Sequence, residues 1–215
     1  MARIVVIGGH GKIAMQLHPQ LVEADHRVTA VVRNPDHVAE VEGTGAHAVV
    51  ADVEQLDTDA FAELVGGHDA IVWSAGAGGG NPARTKAVDE EAAIRSMDAA
   101  AAAGVGRYVM VSYNGAGPDH GVDPQTPFWH YAEAKAKADE HLRGTNLDWT
   151  VLGPSKLTDG PATGSINVAG RAEGSGEVSR ANVARVIAES LEANGTVGRT
   201  IEFHDGGTPI GDALR

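Results

Sequence analysis

The chain has 215 residues, of which 42% are hydrophobic, and its 17 basic and 29 acidic side chains give a formal net charge of −12. This length and apolar content indicate one globular domain with a large core and exclude a disordered chain. An acidic chain without a run of Lys and Arg is not expected to bind nucleic acid. Cysteine is absent, which excludes disulfides, thiolate metal ligands and a cysteine nucleophile.

The apolar runs of the chain bear on its location, and the spacing of its histidines bears on metal binding. No apolar run approaches the roughly 20 residues that span a bilayer, and the apolar run at the N-terminus is too short for a signal peptide. We therefore expect a cytoplasmic monomer or homodimer that acts on a small-molecule substrate, with no membrane or nucleic-acid partner. Ten histidines are scattered without HxH or HExxH spacing, so no metal site is expected.

In chain order, strand-like and helical segments alternate. The strand-like runs are rich in Val and Ile and show little alternation, which is typical of strands buried on both faces. They are Arg3–Ile7, Arg27–Val32, His47–Ala51, Ala70–Trp73, Arg107–Val111 and Asp148–Leu152. The helical candidates are Ile13–Ala24, Pro35–Glu42, Leu56–Val65, Lys86–Ala103 and Phe128–Arg143. This βαβ order predicts the α/β class, specifically a Rossmann-type doubly wound parallel sheet with helices on both faces.

After Leu152 the pattern loosens into a segment rich in Gly, Pro, Ser and Thr, which predicts a functional loop or lid. A short strand at Ser165–Ala169, a helix at Arg180–Ala193 and a last strand at Thr200–His204 follow as a small C-terminal elaboration. No linker separates a second domain, so residues 1–215 are predicted to form one domain. The loops at about 76–84, 113–127 and 153–178 are expected on the substrate side.

A glycine-rich turn follows the first predicted strand directly. Gly8-Gly9-His10-Gly11-Lys12-Ile13-Ala14 satisfies G-x-G-x-x-A and precedes an amphipathic helix. Glycine lets the backbone approach a pyrophosphate, whose charge is stabilised by the free N–H groups at the helix N-terminus. This context predicts a dinucleotide site, and its predicted cofactor-binding residues are Gly8, His10, Gly11, Lys12 and Ile13.

The end of the second strand indicates which dinucleotide binds. Binders of NAD usually place Asp or Glu there for the ribose hydroxyls, whereas this chain has Arg33-Asn34 and no carboxylate before Asp36. A guanidinium suits a 2′-phosphate, which a carboxylate would repel. We therefore expect Arg33 to bind the 2′-phosphate and NADP(H) to be preferred over NAD(H).

Further polar or small residues follow the other strands, at the edge where ligands of open α/β sheets bind. Asp52 and Val53 follow the third strand and suit the adenine. The fourth strand is followed by Ser74, Ala75 and Gly76, and the sixth by Gly153-Pro154-Ser155. We expect these segments, including Pro154, to contact the cofactor.

A Tyr–Lys pair supplies the candidate acid–base chemistry. Tyr131 and Lys135 are four residues apart and share one face of a predicted helix. A nearby ammonium is expected to lower the pKa of the phenol toward neutrality, and Lys135 could also bind the nicotinamide ribose. Ser112, after the fifth strand, could hold the carbonyl oxygen that receives the proton of Tyr131.

Together these residues resemble those of the atypical short-chain dehydrogenase/reductases, the compact NAD(P)H-binding group of biliverdin- and flavin-reductase-like and NmrA-like proteins. The resemblance covers nearly the whole chain and includes Ser179–Ala184 at the start of the late helix. It implies Ser112, Tyr131 and Lys135 as the catalytic set of an NAD(P)H-dependent reductase. Asp89 stands where many relatives carry an Asn that supports the lysine.

Three functions are compatible with this sequence. The first is an NADPH-dependent reductase of a small carbonyl, quinone or flavin-like acceptor, with the aromatic cluster Phe128, Trp129 and His130 lining the substrate side. The second is a non-catalytic NADP(H)-binding sensor, which needs the cofactor site but not Tyr131 and Lys135. The third is a nucleotide-sugar epimerase or dehydratase, for which the 63 residues after Leu152 leave little room.

Overall fold

A computed structural model describes residues 1–78, 80–168 and 176–215 of the chain. The strands are β1 (Arg3–Ile7), β2 (Arg27–Val32), β3 (His47–Val50), β4 (Ala70–Trp73), β5 (Arg107–Val111), β6 (Asp148–Pro154), β7 (Lys156–Thr158), β8 (Ser165–Val168), β9 (Glu177–Ser179), β10 (Arg199–Asp205) and β11 (Thr208–Pro209). The α-helices are α1 (Ala14–Glu23), α2 (Val38–Glu42), α3 (Thr58–Val65), α4 (Pro82–Thr85), α5 (Ala93–Ala103), α6 (Trp129–Arg143), α7 (Arg180–Glu192) and α8 (Ile210–Ala213).

The central sheet has nine strands in the order β11-β8-β10-β6-β5-β4-β1-β2-β3. The seven adjacent strands β10, β6, β5, β4, β1, β2 and β3 run parallel. Strand β8 pairs antiparallel with both β10 and β11 at the edge. The chain reverses its direction of travel across the sheet between β1 and β4, where a ligand crevice is expected. The doubly wound Rossmann fold predicted from the sequence is therefore confirmed.

Two hydrophobic clusters cover the two faces of this sheet. One packs α1 and α7 against it through Leu17, Leu21 and Ile187. The other packs α3, α5 and α6 around Phe61 and Trp73. Because both faces are covered, the central strands need no alternation of polar and apolar residues. No helix in the described part of the chain is long and apolar enough to cross a membrane.

Several boundaries differ from those predicted. Strand β3 ends at Val50 rather than Ala51, and β6 runs on to Pro154 because Phe203 of β10 pairs with it. The helix predicted over Lys86–Ala103 is a π-helix over Lys86–Ala92 that continues as α5. This wider winding is common at functional sites, and hydrophobic periodicity does not distinguish it from an α-helix.

The segment predicted as a long loop contains regular structure. β7 and β9 pair in parallel as a separate two-stranded sheet, and β8 joins the main sheet. The last residue of the predicted strand Ser165–Ala169 lies outside the described residues. The fully buried Asn182 holds this region in place, because its Oδ1 accepts from the N–H groups of Thr163 and Gly164 and its Nδ2 donates to Asp205 at 2.6 Å.

Candidate functional site

The turn between β1 and α1 requires glycine for reasons of space. Gly8 has φ of +89°, and a Cβ on it would lie 2.6 Å from the backbone nitrogen of Ala75. A Cβ on Gly9 would meet the Cβ of Ala30 at 2.8 Å. The Gly11 N–H donates to the Gly8 carbonyl at 2.9 Å and closes the turn. The turn thus leaves bare backbone facing the crevice, which fits a pyrophosphate at a helix N-terminus.

A cavity of about 240 Å³ opens at the carboxyl ends of β1 to β4 beside this turn. Nine of the predicted cofactor-binding residues line it, namely Gly8, His10, Gly11, Arg33, Asp52, Val53, Ser74, Ala75 and Gly76. Its other lining residues are Val31, Val32, Asn34, His37, Ala51, Glu54, Arg84 and Val88. The strand-end residues therefore converge on one crevice beside the glycine turn.

Two arginines meet one carboxylate at the rim of this cavity. Nη1 of Arg33 lies 3.2 Å from Oε1 of Glu54, and Nε of Arg84 lies 2.7 Å from the same oxygen. Arg84 also donates through Nη1 to the carbonyl of Ala77 at 2.8 Å. The rim thus carries two guanidinium groups and one internal counter-ion where the 2′-phosphate was expected.

Four predicted cofactor-binding residues do not line this cavity. Lys12 pairs with Asp159 at 2.9 Å on the surface, and Ile13 is buried in the core. Pro154 is buried within β6, and Lys135 is buried in α6 with an exposed fraction of 1%. Their contact with the cofactor stays a prediction.

A second cavity of about 690 Å³ adjoins the first, since Gly76 lines both. Its remaining wall comprises Ala77, Gly78, Gly80, Pro82, Thr85, Asp89, Pro124, Gln125, Thr126, Pro127, Phe128, His130 and Tyr131. The rings of Phe128 and Tyr131 lie 5.4 Å apart. Of the predicted aromatic cluster, Phe128 and His130 line this cavity, while Trp129 lines a neighbouring surface groove. The candidate proton donor Tyr131 therefore lies on the wall of a space next to the cofactor crevice.

Lys135 lies in a buried cluster with two carboxylates. Burial raises the pKa values of Asp89 and Asp139, and the charge of Lys135 partly offsets this in both. Oδ2 of Asp89 accepts from the N–H of Ala77 at 3.0 Å. The other carboxylate oxygen of each aspartate is buried without a hydrogen-bond partner among the described residues. Asp89 lines the second cavity together with Tyr131, and the cluster carries more negative than positive charge when its three groups are ionised.

Ser112 is bonded to that cluster. Its exposed fraction is 4%, and its hydroxyl donates to Oδ2 of Asp139 at 2.6 Å. It lines neither the 240 Å³ nor the 690 Å³ cavity. Tyr131 thus lines the second cavity, whereas Ser112 and Lys135 line neither cavity. The joint action of the three as a catalytic set stays a prediction.

The expected lowering of the Tyr131 pKa by Lys135 is wrong for this protein. Burial raises the pKa of Tyr131 well above its ordinary value, and the negative charges of Asp89 and Asp139 raise it further. Loss of water around the phenol is the larger cause, and the two carboxylates add to it. Tyr131 therefore holds its proton at neutral pH.

Sequence reasoning missed Arg84, Glu54 and Asp139. Arg84 follows a glycine-rich loop, whose direction no hydrophobic pattern specifies. Asp139 had a usable signal, because it stands four residues after Lys135 and eight after Tyr131, on a helix side otherwise rich in buried alanine. An acidic residue on that inward face indicates a buried partner.

Comparisons with known proteins agree with this geometry. Residues 8–194 match the family described as NAD(P)H-binding. The chain is 33% identical to an uncharacterized sugar epimerase, YhfK, from Bacillus subtilis, over 99% of both chains. A Bacillus halodurans structure, assigned provisionally as an NAD-dependent epimerase/dehydratase, superposes with a TM-score of 0.90 at 34% identity, covering 100% of this chain and 99% of that one.

The oxidoreductase ylbE from Lactococcus lactis has a TM-score of 0.87 at 29% identity, covering 99% of this chain and 94% of that one. These matches extend over nearly the whole length of each protein, so they include the glycine turn, both cavities and the C-terminal elaboration. The chain therefore belongs to the NAD(P)H-binding family.

Proposed function

We propose that this protein is an NADPH-dependent reductase whose acceptor occupies the 690 Å³ cavity. The observation that carries the proposal is the shared wall of the two cavities at Gly76, with Tyr131 on the acceptor side. The glycine turn would hold the pyrophosphate of a bound dinucleotide, and the residues at this junction would hold its nicotinamide end. The bound cofactor supplies a hydride to the acceptor there.

The chain's own residues bind and orient both reactants. The glycine turn lets the pyrophosphate approach, and the free N–H groups at the start of α1 would hold it. Arg33, whose side chain is about half exposed at 54%, has donors available for a 2′-phosphate. Tyr131 gives its proton to the oxygen of the acceptor, and Ser112 acts through Asp139 rather than on the acceptor itself.

The ionisation of Tyr131 favours a reductase over a sugar epimerase, the activity named for the Bacillus subtilis relative. An epimerase that uses a tyrosine in the oxidative half of its cycle needs the phenolate to remove a hydroxyl proton. Burial and the neighbouring carboxylates raise the pKa of Tyr131 and oppose that state. A protonated phenol is the form that donates to a carbonyl undergoing reduction.

The wall of the acceptor cavity favours a flat or largely apolar acceptor. Phe128, Pro124 and Pro127 supply apolar surface, and Gly76, Gly78 and Gly80 add little side-chain bulk. Such a space suits a quinone, a flavin-like ring or an aromatic carbonyl compound.

NADPH oxidation followed by absorbance, across a panel of quinones, flavins, biliverdin, aldehydes and ketones, tests the proposal. We expect turnover with at least one acceptor, and NADPH bound more tightly than NADH. Arg33→Ala should reduce that difference in affinity, because it should weaken the binding of NADPH and not that of NADH. Binding of NADPH without turnover of any acceptor would contradict the reductase and favour a cofactor-binding sensor.

A further inference from the structure

Glu54 is the carboxylate that pairs with both arginines in the cofactor cavity. One oxygen, Oε1, accepts from Nη1 of Arg33 at 3.2 Å and from Nε of Arg84 at 2.7 Å. The Glu54 side chain is mostly buried, with an exposed fraction of 20%. All three residues line the same 240 Å³ cavity as the glycine turn.

The backbone around Glu54 is fixed from behind. Arg95 donates to the Leu56 carbonyl at 2.9 Å and reaches the carbonyls of Val53 and Glu54 at 3.4 Å. The Glu54 N–H donates to Oδ1 of Asp52 at 3.1 Å. Because this segment is tied down, the carboxylate can leave the arginines only by turning its side chain.

Arg84 is held in the cavity independently of Glu54. Its Nη1 donates to the carbonyl of Ala77, in the segment that joins the two cavities. The positive charge of Arg84 therefore remains at the rim when the carboxylate is removed. With Arg33 it forms a pair of cations from two different elements, one following β2 and one within α4.

We propose that Glu54 sets the cofactor selectivity of this site by acting as an internal counter-ion that a 2′-phosphate must displace from Arg33 and Arg84. A 2′-phosphate on the ribose next to β2 carries between one and two negative charges. It needs the same guanidinium donors that Glu54 occupies, and the carboxylate repels it. A ribose with a free 2′-hydroxyl does not meet this repulsion.

It follows that Glu54 weakens the binding of NADP(H) more than the binding of NAD(H), and so reduces the preference for NADP(H) that the arginines create. This inference rests on the proposed cofactor site but not on turnover. Removing the charge while keeping an oxygen that accepts from Arg84, as in Glu54→Gln, should strengthen binding of a 2′-phosphate by about tenfold, given one unit charge removed within a few ångströms at a partly exposed site.

Calorimetric titration of 2′,5′-ADP and 5′-AMP tests this without nicotinamide chemistry, because the two probes differ in the 2′-phosphate. For Glu54→Gln we expect 2′,5′-ADP to bind about tenfold more tightly, with 5′-AMP within twofold of the unmutated protein. Glu63→Gln, which removes an exposed acid on α3 outside the cavity, controls for net charge and should change neither affinity.

A second variant, Glu54→Asp, keeps the charge but withdraws it by one methylene, and it should strengthen 2′,5′-ADP binding by a smaller factor. Unchanged or weakened 2′,5′-ADP binding in both folded variants would overturn the inference and make Glu54 a positioning residue for the arginines. If the unmutated protein shows no preference for 2′,5′-ADP but Glu54→Gln does, the inference holds and the proposed NADPH preference fails.

Discussion

The hydroxyl of Ser112 donates to Oδ2 of Asp139 at 2.6 Å, and neither residue lines the acceptor cavity. A serine bonded to a buried carboxylate in this way is not available to hold the acceptor oxygen unless it exchanges partners. The contact connects β5 to α6 and places a second negative charge near Tyr131. The proton chemistry of the site therefore depends on α6 and the π-helix as well as on the strand ends.

Ser112→Ala tests this arrangement. We expect a loss of about 1–3 kcal/mol in the free energy of unfolding, because a buried carboxylate loses a hydrogen bond, and a fall in kcat of less than about tenfold, below the usual effect of losing a catalytic acid–base group. Ser96→Ala, which removes a buried hydroxyl bonded to Tyr108, is the matched control for stability. A fall in kcat beyond a hundredfold in folded Ser112→Ala would instead place the serine on the acceptor.

Asp89→Asn should change the pH dependence of turnover. The negative charge of Asp89 raises the pKa of Tyr131, so its removal lowers that pKa. The proton donor is then lost at lower pH, and the alkaline limb of the kcat profile moves toward neutrality. Profiles from pH 7 to 11 measure this shift. Glu90→Gln is the control: Glu90 directly follows Asp89 but pairs with Lys137 at 3.5 Å, and its substitution should leave the limb in place.

The cofactor crevice could be predicted from the sequence because its residues follow strands. Gly8, Arg33, Asp52 and Ser74 each come directly after, or one residue beyond, a buried apolar run, and the ends of parallel strands meet at one edge of the sheet. The hydrophobic pattern thus determined both the fold class and most of this cavity's wall.

The buried charges and the counter-ion could not be predicted in the same way. Glu54 lies in a loop, Arg84 in a short helix and Asp139 in a helix interior, where position depends on side-chain partners distant in sequence. The predicted direction of the Tyr131 pKa shift was wrong for the same reason, since that pKa depends on burial and on Asp89 and Asp139.

His18 should make the protein sensitive to acid. It is fully buried, and burial lowers its pKa from 6.5 to about 4. Below about pH 6.5 the unfolded chain takes up a proton that the folded protein refuses until about pH 4, so the free energy of unfolding falls through this window. The full loss is at most about 3 kcal/mol, from 1.36 kcal/mol per pKa unit.

Urea unfolding of the unmutated protein and His18→Asn at pH 7 and pH 4.5 measures this effect. The variant should lose less stability between the two pH values than the unmutated protein does. His47→Asn, at an exposed histidine, is the control and should behave as the unmutated protein. Equal pH sensitivity in His18→Asn would assign the acid lability to other groups.

Asn182→Ala should destabilise the protein by about 2–4 kcal/mol. Asn182 is fully buried and bonds the segment before β8 to β10, and its loss leaves several buried polar groups unpaired at about 1–3 kcal/mol each, partly relieved by water. Thermal unfolding measures the change, with the exposed Asn194→Ala as control. A loss below about 1 kcal/mol would mean that this region is held by other contacts.

The most direct test of the account is single-turnover hydride transfer from NADPH deuterated at C4, compared between the unmutated protein and Tyr131→Phe with any acceptor that the panel identifies. Between unlabelled NADPH and NADPH carrying two deuterium atoms at C4, we predict a primary isotope effect on the rate of NADPH oxidation, and a rate lowered by about 10²–10⁴ in Tyr131→Phe at unchanged NADPH affinity, as expected for loss of a general acid. Tyr108→Phe, which removes a core hydroxyl bonded to Ser96 at 2.7 Å, should transfer hydride at the unmutated rate. No isotope effect on NADPH oxidation, or an equal rate in Tyr131→Phe, would contradict the assignment of the second cavity and its tyrosine to reduction.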